Sequence, residues 1–463
     1  MKNYTPFINF EHPDWQDTMT HDDIHTADKP IAVESLYLKW GREEYLEEHT
    51  PTTADFRLFV LDSAAYTTGL FMALRQSIPI TINVSGHIIF RGYPREVKAR
   101  RTTLNGRDLY EFTVNAADVT TGLEHHRPMV ASGWQSTSMV TAAEQIIKRL
   151  RSLPRFTESV STVEVPPESA KTAVQIAHPD WDNVTLRTYL ERFYRTLGGR
   201  GWDYNADSRA IFPQNLGPAV IRSNLAHYPH GLVIEADTDY LRTTNDVVKL
   251  DGDVLEVDEL GFTIGPPMNL QKVDVKAYAY TKHDKVEKTV TVYTDGADSM
   301  TADTMLAPFS TADKGYIQRY AYSVADTVKR VTQYPLPPRV TFEFDELSTE
   351  VEKRYWLSTW DTGIIGVMTN SAVLQWLQSV PKVASADTVP PTVMPVGGEL
   401  EYNGERWRVT HNMIHIGRIG SGEGDVTYET LNSGGYTIGD YAERTTWSDF
   451  SILDPNNSFK EYA

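Results

Sequence analysis

A chain of 463 residues, 40% apolar and 11% aromatic, holds enough apolar material for a sizeable core and for two to four domains. Its 44 basic and 62 acidic residues leave a net charge of −18, which argues against wrapping DNA or docking on anionic lipid, since both need a positive field. Cysteine is absent, which excludes disulfides, cysteine-held metals and thiol nucleophiles. The start has no apolar h-region and no run of about 18 apolar residues occurs, so a soluble chain without signal peptide or membrane insertion is expected.

Residues 1–30 carry Glu11, Asp14, Asp17, Asp22, Asp23 and Asp28 against Lys2 and Lys29, and read as an N-terminal arm ordered by a neighbour. From residue 31 the period becomes two: Leu36, Leu38 and Trp40 alternate with polar residues, as do Phe56, Leu58 and Val60. Ile80, Ile82 and Val84 run into Ser85–Gly86, and Ile88 and Phe90 return the chain, which predicts a hairpin. Tyr110, Phe112 and Val114 add a strand, so 31–132 reads as a first β-barrel-like domain.

Residues 133–232 read as a helix-plus-hairpin α/β domain. Ser138 caps a helix predicted to bury Val140, Ala143, Ile146, Ile147 and Leu150. A second helix places Leu186, Tyr189, Leu190, Phe193, Tyr194 and Leu197 on one face, with Asn183 at its start and Gly198–Gly199 at its end. Trp202–Tyr204, a turn at Asn205–Ser208 and Ala210–Phe212 form a hairpin. Residues 233–431 return to β character as a second β-barrel-like domain with insertions. Its strand candidates are Val273–Tyr280, Thr289–Tyr293, Val340–Phe344 and Gly363–Met368, with a hairpin turning at Asn403–Gly404 and a proline-rich loop at Pro381–Pro395. Residues 432–463 read as a C-terminal docking arm. The whole is a mainly β chain with an α/β insert.

No motif carries catalytic chemistry. His21 and His25 have zinc-helix spacing, but the second position is Asp, the flanks lack an apolar stripe and no third ligand is evident. His411 and His415 repeat the spacing in a strand pattern, where four residues span about 13 Å, too far for one metal ion. His125–His126–Arg127 reads as a surface loop, and the glycines Gly417, Gly420, Gly422 and Gly424 as a hairpin tip without phosphate-loop context. No catalytic residue, metal or cofactor is therefore expected. The stretch 91–107 is basic through Arg91, Arg95, Lys98, Arg100, Arg101 and Arg107, but lacks interleaved aromatics for stacking on bases. Contact with an acidic partner surface, such as segment 234–262 of another copy, fits it better.

The order of elements resembles one known family. The strand Glu34–Gly41 ends in Trp-Gly, Thr53–Asp62 follows, then Pro79–Gly92 with Ile-Ile-Phe-Arg-Gly, then Tyr110–Asp118. The helix Thr185–Leu197, the Gly198–Gly199 stop, the hairpin Gly201–Phe212, the return at Thr243–Leu250 and the last strands at 399–416 and Asp425–Leu431 continue it, before a tail with Trp447–Ser448–Asp449–Phe450. This order resembles the minor tail proteins, or tail-tip (baseplate) hub proteins, of long-tailed actinobacterial phages. The resemblance implies a non-enzymatic structural protein of the virion, made in the host cytoplasm, that forms a homotrimer closing the tail tube. It also implies a distal tail or tail-tube protein, a tape measure protein and other minor tail proteins as partners, with DNA only in transit. On that reading Asp251, Asp253 and Asp258 are candidate channel-facing carboxylates, and Arg95, Lys98, Arg100, Arg101, Trp447 and Phe450 candidate interface residues. The 24 Tyr and 10 Trp keep open a carbohydrate-binding adhesin of the tail; a tail-borne cell-wall hydrolase is the third reading.

Overall fold

The computed structural model describes residues 4–10, 31–43, 47–61, 79–84, 86–104, 106–128, 137–165, 175–176, 184–196, 201–213, 232–234, 254–255, 259–263, 270–280, 285–293, 297–304, 336–344, 366–368 and 392–417, with single positions between 317 and 328. The expectation of a mainly β chain with an α/β insert is met.

Six strands open the fold: β1 (Phe7–Phe10), β2 (Ile31–Gly41), β3 (Thr53–Leu61), β4 (Ile80–Val84), β5 (His87–Leu104) and β6 (Arg107–Asp118). They lie in the order β1-β4-β5-β6-β3-β2, each pair antiparallel. Residues two apart share a face of a strand, so Leu36, Leu38, Phe56, Leu58, Val60, Ile80, Ile82, Phe112 and Val114 all turn inward and are buried. The β4–β5 turn forms where expected: Gly86 takes a left-handed φ of 94° and donates its N–H to Asn83 Oδ1 at 2.9 Å.

The insert follows. It comprises β7 (Thr137–Ser138), α1 (Met139–Arg151), α2 (Pro154–Thr157), β8 (Thr162–Val163), β9 (Gln175–Ile176), α3 (Leu186–Thr196), β10 (Trp202–Asn205) and β11 (Ala210–Pro213). Ser138 caps α1 as expected, accepting from the Thr141 N–H at 3.2 Å. The buried face of α1, however, is Met139, Ala142, Ala143, Ile146 and Leu150, while Val140 is exposed. Helical period alone leaves the stripe free to rotate by one residue; packing against α2 and the α3 core selects Met139 over Val140. In α3 the expected residues Leu186, Tyr189, Leu190, Phe193 and Tyr194 are buried, and Thr185 caps it by accepting from Thr188 N–H. Asn183, Leu197 and Gly198–Gly199 lie outside the described residues. The β10–β11 hairpin turns on Asn205, whose side-chain oxygen accepts from Asp207 and Ser208 N–H.

The remaining strands are β12 (Leu232–Ile234), β13 (Val254–Leu255), β14 (Glu259–Thr263), β15 (Leu270–Tyr280), β16 (Lys285–Tyr293), β17 (Asp298–Asp303), β18 (Leu336–Phe344), β19 (Gly366–Met368), β20 (Thr392–Tyr402) and β21 (Trp407–Gly417). β15 pairs β16 and β17 in a separate sheet, covered by helical positions Ile317, Tyr320, Ala321, Val324 and Val328. β20 pairs β2 from Leu36↔Tyr402 to Gly41↔Gly397, which carries the first sheet onward through β21, β18 and β14 on one side and β19, β12 and β13 on the other. One buried cluster accordingly contains Tyr4, Leu38 and Phe112 together with Phe344, Leu400, Trp407 and Met413. The Trp407 indole donates to Tyr4 O at 2.8 Å, and Tyr4 meets Phe344 edge-on.

The end of the expected loop Pro381–Pro395 is instead strand, because β20 begins at Thr392 and Pro395 lies opposite Met413. The register shifts between Pro395 and Gly397, and a bulge is where a strand tolerates a residue without an N–H.

Candidate functional site

Among the described residues, a group of buried polar side chains gathers where β2, the β20–β21 seam and the β10–β11 hairpin meet. β2 ends at Gly41, whose φ of 67° turns the chain inward; a Cβ there would lie 2.2 Å from Val396 O. The turn delivers Arg42 with its side chain fully buried. Its Nη2 donates to Trp202 O at 2.8 Å, and its Nη1 lies 3.7 Å from Asp203 Oδ2. Its backbone is bound as well: Arg42 N–H donates to Val396 O at 2.9 Å and Arg42 O accepts from Asn412 Nδ2 at 3.1 Å. The guanidinium fits only because residue 201 is glycine, where a Cβ would come within 2.1 Å of Nη2. One arginine thus touches all three parts.

Next to it runs a relay of four side chains. Asp118, the last residue of β6, caps a 3₁₀ helix (Val119–His125). Its Oδ1 accepts from Thr120 N–H at 2.8 Å and Thr120 Oγ1 at 2.5 Å, and its Oδ2 accepts from Thr52 N–H at 2.6 Å. Thr120 Oγ1 is 3.2 Å from His49 Nε2, and His49 Nδ1 is 3.0 Å from Asp203 Oδ1. The His49 ring stacks on Trp202 with centroids 4.1 Å apart. From α3, Arg187 donates to His49 O at 2.6 Å while pairing with Glu191 and Glu124; Arg195 pairs with Glu48. Burial pushes the Asp118 carboxyl up from its usual range, against the opposing pull of His49 and the bonds from Thr120 and Thr52.

An Asp–His–hydroxyl order is also the order of a nucleophile relay. Here the hydroxyl is 2% exposed and already bound to Asp118, so no substrate atom reaches it. The arrangement ties the sheet to the helix-and-hairpin unit. The relay is not legible in the sequence because residues 42, 49, 118, 120 and 203 are scattered; the one local signal is Asp118-x-Thr120, an N-cap aspartate.

The basic stretch lies on β5. Arg91 is buried, its Nε 3.4 Å from Ala206 O, and Arg95 Nη2 lies 3.3 Å from Thr121 Oγ1. Lys98 pairs with Glu96 at 3.2 Å, Arg101 with Asp108 at 2.9 Å and Arg100 with the buried Glu111 at 2.5 Å. Arg57 joins Glu111 at 3.3 Å to Glu34 at 3.1 Å, so an alternating ladder crosses β5, β6, β3 and β2. Pairing with β4 stops at Gly92; beyond it, among the described residues, β5 pairs with β6 alone. His411 sits in strand β21 as expected, fully buried, with its pKa lowered to about 3 by that burial. His125 closes the 3₁₀ helix and His126 meets Phe156 edge-on, its pKa lowered chiefly by burial and then by the Arg149 charge. His21, His25, Asp251, Asp253, Asp258, Trp447 and Phe450 lie outside the described residues.

No family model and no curated protein matches the chain. Among solved structures it is similar to the tail protein from Neisseria meningitidis MC58, at 9% identity and TM-score 0.45, covering 88% of this chain and 96% of that one. It is similar to the 43 kDa tail protein of prophage MuSo2 from Shewanella oneidensis at 8% and 0.44, covering 88% and 96%. The Francisella PdpA–VgrG complex gives 11% and 0.42, covering 89% of this chain and 52% of that one.

Proposed function

We propose that this chain is a structural, non-enzymatic phage tail protein, a hub subunit at the tail tip that joins copies of itself, as a homotrimer, into a ring through which DNA passes. The observation that carries the reading is the fastening of one sheet across the chain, from β1 through the β2–β20 seam to β18, with the outer length of β5 paired, among the described residues, on one side alone. A strand edge of that length is a template for pairing with another chain. The charged side chains along it already have partners within the chain, so they set the register of β5 on β6 and leave the backbone edge as the assembling element. In this reading the tail-tube and tape measure proteins meet the ring along its axis, and Asp251, Asp253 and Asp258 face its bore. A reconstruction of the assembled particle tests it. A threefold ring of this protein on the tail axis is the expected result; a position off that axis, or outside the tail, overturns the hub reading.

A second reading, a glycan-binding tail adhesin, draws on Tyr293 at 70% exposure beside Tyr322 at 37%. A glycan array with the wild-type chain and with Tyr293→Ala distinguishes it: binding lost in the variant supports the adhesin, and no binding by the wild type removes it.

A further inference from the structure

We propose that the joint between the sheet and the helix-and-hairpin unit holds one captured proton, shared along Asp203–His49–Thr120–Asp118, and that the joint loosens when this proton leaves. The relay contains three contacts at bonding distance: Asp203 Oδ1 to His49 Nδ1 at 3.0 Å, His49 Nε2 to Thr120 Oγ1 at 3.2 Å, and Thr120 Oγ1 to Asp118 Oδ1 at 2.5 Å. Each needs a hydrogen of its own. A neutral imidazole supplies one, a threonine hydroxyl supplies one, and two ionised carboxylates supply none. With only two, Thr120 has to choose between His49 and Asp118, and one acceptor is left facing another in a buried site. A single additional proton, on the imidazole or on either carboxyl, completes all three bonds.

Charge gives the same answer. Inside the joint, among the described residues, Asp203 faces the permanent cation Arg42 from the end of β2, while Asp118 is met by His49 and by the hydrogen bonds of Thr120 and Thr52. The cation facing from α3, Arg187, reaches the His49 carbonyl but is matched by Glu124 and Glu191. Glu48, beside His49 in sequence, is matched by Arg195. Trp202 covers the imidazole face and brings no charge. Arg42 answers the charge of Asp203, and one captured proton answers that of the buried Asp118; without the proton the joint keeps an excess negative charge. Burial, which disfavours the ionised form of Asp118, acts in the same direction. Because the three groups are coupled, the proton belongs to the set and not to one member.

The sign follows from linkage. A proton held by the folded joint and absent from the unfolded chain contributes stability that is present at lower pH and is lost as the pH rises through the relay's titration, the direction in which burial moves the Asp118 carboxyl. The test uses the full-length chain and Thr120→Val, which keeps the shape and removes the bridging hydroxyl. Calorimetric unfolding at pH 8 in buffers of different ionisation enthalpy reads the protons released. The wild type is expected to release about one proton more than the variant, and equal release overturns the proposal. Should the variant not fold, nitrogen and carbon NMR of the wild-type chain at pH 8, assigned with His49→Gln, counts the hydrogens directly. Two hydrogens among the His49 ring and the carboxyls of Asp118 and Asp203 support the proposal; one overturns it.

Discussion

His411 and Arg42 show two ways this fold places a polar side chain in its interior. Arg42 is held by a carbonyl, a carboxylate and the space left by two glycines. His411 sits between aromatic rings, edge-on to Trp40 at 6.0 Å and to Phe342 at 6.1 Å, and its full burial there disfavours the charged ring. Its pKa of about 3 lies below the ordinary imidazole value, so its folded form is neutral and the unfolded chain binds the proton first. Stability from this group is present above about pH 6.5 and is lost as the pH falls toward 3. His411→Phe fills the same aromatic setting with no titration. The difference in denaturation midpoint between pH 7 and pH 4 is expected to shrink clearly in the variant; an undiminished acid dependence would show that other groups cause it.

At the scale of elements, α3 is the case in which pattern and packing agree most fully. Phe193 is buried and meets Tyr194 edge-on at 5.1 Å, so Phe193→Ala is expected to cost about 3–5 kcal/mol in urea or guanidinium unfolding. A cost below about 1 kcal/mol would mean that the helix is not seated on this core. Such elements were legible because a local period and a local turn define them, as at Gly86 and Asn403–Gly404. The helical positions from Ile317 to Val328 were equally local, with apolar residues at 317, 320, 321, 324 and 328, yet polar surroundings masked the stripe. What no local pattern encodes is partnership at a distance. The Leu38↔Leu400 register joins residues more than 350 positions apart, and the His49 relay draws its members from a loop, a strand end, a 3₁₀ helix and a hairpin. Single-residue spacing carries no trace of either.

For the whole molecule, the β2–β20 seam makes the two ends of the sheet interdependent. Leu36, Leu38 and Phe56 share one cluster with Leu400, Val409 and Met413, so a fragment of residues 1–232 would expose the face these residues cover. It is expected to lack cooperative β unfolding by circular dichroism, and a cooperative transition would show that the N-terminal strands hold a core of their own. Charge acts on the same scale. Three copies in the proposed ring carry −54, three times the −18 of one chain, while Lys98, Arg100 and Arg101 on β5 are already paired with carboxylates of their own chain. A bore lined with lysine or arginine would bind phosphates and retard DNA, whereas carboxylates keep phosphates off within about a Debye length, roughly 10 Å at 0.1 M salt. The segment 234–262, with nine acidic residues against Arg242 and Lys249, is the natural source of such carboxylates. Replacing Asp251, Asp253 and Asp258 together by lysine is then expected to leave tail assembly intact and to slow genome ejection, most strongly at low ionic strength where screening is weakest. Particles that assemble normally and eject at wild-type rates across salt concentrations would remove these three residues from the bore and return them to the role of solvated loop charges.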